Sequence, residues 1–142
     1  MSPSAKSRVL IVDDEPANLD TMQRSFRKEL SMVVASSGRE ALEHLRKSTF
    51  DVVLTDYAMP LINGIELLRQ VCLLQPNAGR IMVTAHGDLE EVRAAKSEGL
   101  YAAVLVKPWK REEVLRWIEQ LRGVAQMRRS VEEMNAKLGK PQ

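Results

Sequence analysis

Residues 51–64 read Asp51-Val52-Val53-Leu54-Thr55-Asp56-Tyr57-Ala58-Met59-Pro60-Leu61-Ile62-Asn63-Gly64. An apolar run of strand length ends on a carboxylate, Asp56, and opens into a segment rich in turn formers. A carboxylate so placed can react with a substrate without unfolding its own support. The same grammar recurs along the chain. Arg8-Val9-Leu10-Ile11-Val12 ends on Asp13 and Asp14, Ile81-Met82-Val83 ends on Thr84, and Ala103-Val104-Leu105-Val106 ends on Lys107-Pro108. Strand-length runs lie near residues 8–13, 32–35, 51–56, 80–84 and 102–107. Between them apolar residues repeat with helical spacing: Leu19, Met22 and Phe26; Ala41, Leu42 and Leu45; Ile65, Leu68 and Val71; Leu89, Val92 and Ala95; Val114, Ile118 and Leu121. Alternating strands and helices predict an α/β fold, a parallel sheet with helices on both faces. The runs at 9–12, 52–54 and 103–106 are apolar without alternation, as strands covered on both faces should be. Ligands of such sheets collect at the carboxyl ends of the strands near the switch point. Asp13, Asp14, Asp56, Thr84 and Lys107 all fall there.

A chain of 142 residues fits one ordinary domain with a short appendage. Hydrophobic content of 44% and charged content of 28% are those of a globular protein and not of a disordered one. The formal charge of +2 is too small to argue for a nucleic-acid partner. A single cysteine, Cys72, excludes an internal disulfide, and its helical setting assigns it to packing. No stretch reaches the roughly 18 apolar residues of a membrane span, and the first seven residues lack the apolar core of a signal peptide. The expected location is cytoplasmic.

After Leu121 the character changes. Gly123 is costly inside a helix and marks a candidate boundary. Beyond it Val124, Met127, Val131, Met134 and Leu138 repeat at threes and fours among charged residues. A solvated extension of the fifth helix and a dimerising or linker helix both fit this pattern. The expected division is therefore a domain over 7–123 and a helical tail or linker over 124–142.

Three acids, a hydroxyl and an ammonium at strand ends suit a divalent cation and a phosphoryl group. Mg2+ prefers hard oxygen ligands and keeps several waters, so one of Asp13 and Asp14 can ligate directly and the other through water. Clustered carboxylates repel one another unless a cation intervenes. Asp56 is the candidate nucleophile, forming an acyl phosphate by in-line attack. Phosphoryl transfer asks for positioning and charge neutralisation, which Lys107 and the Thr84 hydroxyl can give. Backbone N–H groups after Asp56 and Thr84 can add donors beside the small Ala58 and Ala85. Each residue alone has a plainer reading. Asp13 to Pro16 can be a turn capping the first helix, Thr84 the N-cap of the fourth, and Lys107 a surface charge. Pro108 permits a cis peptide.

In Val9-Leu10-Ile11-Val12-Asp13-Asp14-Glu15, Asp56 with Met59-Pro60 and Gly64, Val83-Thr84-Ala85 and Lys107-Pro108, the chain resembles the receiver domain of bacterial two-component response regulators. The resemblance spans roughly residues 7–122. It implies a five-stranded (βα)5 flavodoxin-like fold with strand order 2-1-3-4-5. It also implies that Asp56 takes phosphate from a histidine kinase, a phosphotransfer protein or a small phosphodonor. Mg2+ would be held by Asp13, Asp14, Asp56 and the main-chain carbonyl of Ala58, while Thr84 and Lys107 contact the phosphate. The resemblance implies a switch rather than an enzyme with turnover. Aspartate-nucleophile phosphohydrolases, the rival on a similar fold, resemble Asp-x-Asp-x-Thr after the first strand, where this chain has Asp13-Asp14-Glu15-Pro16-Ala17. A phosphate-independent interaction module is the third reading. Val104 stands where the family usually has an aromatic switch residue, and Tyr101 is expected in the core or at an edge. Trp109 resembles the Lys-Pro-Trp of receivers that precede longer signalling helices. His86 lies where the family tunes phosphate lifetime, and its plainer reading, an exposed residue at the N-terminus of a helix, is the favoured one. No helix-turn-helix occurs within these residues, so direct DNA binding by this chain is not expected.

Overall fold

The computed structural model describes residues 6–139. Five strands alternate with five helices: β1 Ser7–Val12, α1 Pro16–Phe26, β2 Leu30–Ala35, α2 Gly38–Lys47, β3 Val52–Asp56, α3 Gly64–Leu74, β4 Gly79–Thr84, α4 Glu90–Ser97, β5 Ala103–Val106 and α5 Arg111–Lys137. The strands form one parallel sheet in the order β2-β1-β3-β4-β5. This is the expected order, with the switch point between β1 and β3. The second strand starts earlier than its apolar run suggested, because Leu30 and Ser31 pair with Ser7 and Arg8 and extend the ladder.

Side chains alternate across the sheet, and both sides are buried. Leu10, Val12, Val53 and Met82 face α2, α3 and α4 in one apolar layer. Val9, Ile11, Val52, Leu54, Ile81, Val83 and Leu105 face α1 and α5 in the other. Local chemistry starts the helices. Pro16 occupies the first turn of α1, where its missing N–H costs nothing. Ser37 accepts the Glu40 N–H at the start of α2, and Asn63 with Glu66 forms a reciprocal capping box on α3. Cys72 is half-buried against the α2–α3–α4 layer, the packing role expected of it. Tyr101 is a core residue whose hydroxyl donates to the Val92 carbonyl at 2.7 Å.

Helix α5 runs unbroken through Gly123, at which an added Cβ would meet open space. Its inner face, Val114, Ile118, Leu121 and Ala125, is buried. The same face continues into polar anchors: the Arg129 guanidinium donates to the Asp51 carboxylate, and Asn77 donates to Glu132 at 2.8 Å. On the opposite side, roughly half a turn away at 3.6 residues per turn, Met127, Val131, Met134 and Leu138 are 51% to 65% exposed. No helix among the described residues is long and apolar enough to cross a membrane.

Candidate phosphoacceptor site

The carboxyl ends of β1, β3, β4 and β5 bring Asp13, Asp56, Thr84 and Lys107 to one edge of the sheet. Asp13, Asp56 and Thr84 are buried at 8%, 6% and 3% exposure, unusual for two acids unless they have partners. Carboxylate oxygens of Asp13, Asp14 and Asp56 lie within 4.8 Å of one another, and Asp14 is the most accessible of the three. Lys107 Nζ lies 3.1 Å from Asp56 Oδ1 and 3.9 Å from Asp13 Oδ2, so it is no free surface charge. The Lys107–Pro108 peptide is cis.

Asp13 is held on both oxygens. The Glu15 N–H donates to Oδ1 at 2.9 Å, and the Asn18 amide donates to Oδ2 at 3.1 Å. The turn at Asp13–Glu15 does lead into α1, but no side chain caps that helix directly. Asn18 has no motif in the sequence to single it out. Its only signal is its position about one helical turn past the acid pair. Thr84 is likewise not the N-cap of α4, which is Leu89. Its Oγ1 instead accepts the His86 N–H at 3.0 Å, closing a tight turn two residues long. His86 itself is exposed in that turn, ahead of the helix rather than on it.

The Tyr57 N–H donates to the Val83 carbonyl at 2.9 Å, continuing the β3–β4 ladder, so the donors available after Asp56 begin with Ala58. Ala58 is exposed in the loop that follows β3. That loop is tied back by the Gly64 N–H, which donates to the Tyr57 carbonyl at 2.8 Å. Gly64 packs so closely that a Cβ there would stand 2.4 Å from the Asp56 carbonyl oxygen and 2.9 Å from Tyr57 Cα. Burial raises the Asp56 pKa above its ordinary value. The hydrogen bond from Lys107 opposes the rise, and the nearby Asp13 charge adds to it.

A profile of the response regulator receiver domain matches residues 9–119. The chain belongs to the response regulator receiver domain family. It is 41% identical over 104 residues to a response regulator receiver protein of Anaeromyxobacter sp. (strain Fw109-5), covering 71% of this chain and 42% of that protein. It is 32% identical over 116 residues to the hydrogenase transcriptional regulatory protein HoxA of Cupriavidus necator, covering 81% of this chain and 24% of that one. The chain thus spans less than half the length of these curated relatives. Among solved structures, an adenylate cyclase chain from Rhodopirellula baltica superposes with a TM-score of 0.87 at 30% identity, over 94% of this chain and 99% of that one. A CheY-like response regulator receiver domain protein from Methanospirillum hungatei gives 0.80 at 26% identity, over 87% and 99%. The receiver fold with its 2-1-3-4-5 sheet is therefore shared along most of both chains. In this receiver Val104 is half-buried against the α2–α3–α4 layer.

Proposed function

We propose that this receiver is a phosphorylation-dependent signalling switch in which Asp56 accepts a phosphoryl group from a histidine kinase, a phosphotransfer protein or a small phosphodonor. The observation that carries the reading is the Lys107 ammonium set 3.1 Å from the buried Asp56 carboxylate, within a cluster of three acids. Oxygen-only donors, closely grouped, with one member exposed, fit Mg2+. Asp13, Asp14, Asp56 and the Ala58 carbonyl would hold it. When bound, Mg2+ offsets the charge of the carboxylates and of the phosphoryl oxygens.

The chain's own residues do the rest. Asp56 forms a bond from a carboxylate oxygen to phosphorus as the bond from phosphorus to the donor breaks. For a phosphohistidine donor the electron pair goes to the imidazole nitrogen, which takes up a proton from solvent. Lys107 is placed to follow the new phosphoryl oxygens, exchanging its carboxylate partner for a charge-assisted bond to phosphate. Because the Thr84 oxygen already accepts the His86 N–H, its single proton is free to donate to phosphate. Asn18 and the Glu15 N–H keep Asp13 in place throughout. Residues 7–123 form the phosphoacceptor unit in this reading. Beyond Gly123 the helix, which runs to Lys137, forms a tail or linker that relays the state to a partner, to a downstream domain or to a second copy; of the expected tail over 124–142, residues 140–142 lie outside the described residues.

Incubation with Mg2+ and acetyl phosphate tests the reading. One hydroxylamine-labile phosphoryl group is expected, dependent on Mg2+ and absent from Asp56→Asn. Full labelling of Asp56→Asn would reject Asp56 as acceptor. Absence of any label with both a small donor and a phosphorylated kinase would favour the phosphate-independent module.

A further inference from the structure

Next to the acid cluster lies a cleft of about 550 Å3, running between α1 and the β5–α5 loop. Ile11, Leu54 and Val83 form its aliphatic floor, with Met22 of α1 and Trp109 on its sides; Asp56 and Lys107 stand at its polar end. Trp109 is backed by the fully buried Phe26, the ring centroids 5.5 Å apart at a 36° tilt. The Phe26 ring in turn carries the Arg111 guanidinium on its other contacts, and Arg111 pairs with Glu29. The wall is therefore supported from behind. The volume falls within the range of small-molecule sites, and such sites are mainly apolar with a few polar groups to fix orientation. Its place beside β1 and β3 is the switch point, where doubly wound sheets bind their ligands. The phosphoryl chemistry proposed above uses only the acid end, while Met22 and Trp109, which pack on the α1–α5 side of the sheet, also edge the apolar part of the cleft.

We propose that the cleft is a binding site for a small planar aromatic molecule carrying a phosphoryl or phosphonyl headgroup. The headgroup pairs with Lys107 at the acid cluster, and the ring lies between Met22 and Trp109 over Ile11, Leu54 and Val83. A thioether and an indole are both favourable neighbours for an aromatic ring. For its headgroup the inference rests on the metal reading of the acid cluster. Three carboxylates facing one ammonium repel a dianion, so the binding depends on Mg2+. The ring subsite is the new element, and no group transfer is part of it.

The test titrates phenylphosphonate and methylphosphonate into the full chain, with and without Mg2+, following the Met22 methyl resonance and the heat of binding. Phenylphosphonate is expected to bind about tenfold tighter than methylphosphonate, a modest share of what full burial of a ring provides, because the cleft is open on one side. It should shift the Met22 methyl, and only with Mg2+ present. Trp109→Ala should erase the preference for the aromatic ligand while leaving methylphosphonate affinity unchanged. Trp109→Phe, which keeps a ring against Phe26, should retain most of it. Equal affinities for the two phosphonates, an unmoved Met22 methyl at saturation, or a preference that survives Trp109→Ala would each overturn the subsite. Failure of both ligands to bind would overturn it too. The hydroxylamine-labile label on Asp56 needs no cleft, so it reports separately on the acid cluster.

Discussion

Arg129, far along α5, donates through its guanidinium to Asp51, the buried acid immediately before β3. The other oxygen of that carboxylate accepts the Arg8 N–H at 2.8 Å, so one side chain joins the starts of β1 and β3 to the last helix. The stretch of α5 beyond Gly123 is therefore docked, through Arg129, on the end of the sheet opposite the acid cluster. Arg129→Ala would leave a largely buried carboxylate with one partner fewer. The pair is partly solvent-screened, which sets the expected loss at about 1 kcal/mol. Thermal melts should place Arg129→Ala below the wild type, and a chain ending at residue 123 lower still. Wild-type melting of Arg129→Ala would show that the anchor contributes nothing measurable.

The two adjacent acids differ in how they are held, and that difference ranks them as metal ligands. Asp13 already accepts hydrogen bonds on both oxygens, whereas Asp14 is the accessible member of the cluster. Asp14→Asn should weaken Mg2+ binding by about tenfold, equivalent to about 1.4 kcal/mol, with a smaller loss for Asp13→Asn. Titration followed by Trp109 fluorescence in a Trp117→Phe background would rank them. The reverse order would make Asp13 the direct ligand.

Burial sets the sign of a pH effect at Asp56. Its pKa is raised in the folded chain, so the folded state keeps that proton to higher pH than the unfolded state does. Ionised Asp56 consequently works against folding at neutral pH. In metal-free buffer at pH 7, Asp56→Asn should melt a few degrees above the wild type. The gain should fade as pH falls through the folded pKa and vanish below the ordinary carboxylate range, where Asp56 is neutral in both states. Added Mg2+ should stabilise the wild type more than the variant. A variant less stable at pH 7 without metal would mean that the Lys107 pair outweighs burial.

On α5 the anchored face and the apolar stripe point in opposite directions, which allows them to be tested apart. Met127, Val131, Met134 and Leu138 alternate at four, three and four residues, the spacing of a two-stranded helical pair. A homodimer through this stripe, responsive to phosphorylation, follows from the proposed role of the tail. Met127→Ser with Val131→Ser leaves Arg129 and Glu132 untouched. Sedimentation should show the wild type associating, to a degree that depends on phosphodonor, and the double variant monomeric. Monomers in all samples would leave the tail as a linker.

How much of this was legible beforehand depended on the range of the interactions. The strands ending at Asp13, Asp56, Thr84 and Lys107 could be read because a strand buried on both faces must be apolar throughout, and its polar end then stands out. The helices announced themselves through spacing that a buried face requires. Thr84 was harder. A hydroxyl before a helix suggests a cap, and only the actual turn places His86 rather than a helical residue on it. Asn18 gave little warning, since its role depends on how far α1 is turned toward Asp13. Gly123 suggested an end because helix propensity counts only the local cost. The contacts that carry α5 through it join Arg129 to Asp51 and Glu132 to Asn77, 78 and 55 residues apart, and no local pattern encodes them.

Gly64 gives the acid site a dependence that no list of reactive groups would contain. Its missing side chain is what lets the start of α3 lie against the Asp56 carbonyl, so a methyl group added there would press directly on the backbone that aims the carboxylate. In a saturation-mutagenesis screen for signalling, position 64 should behave like an acidic residue of the site, intolerant of every replacement. Alleles found there would be loss-of-function alleles of phosphorylation, although the residue has no side chain and its N–H is already given to the Tyr57 carbonyl.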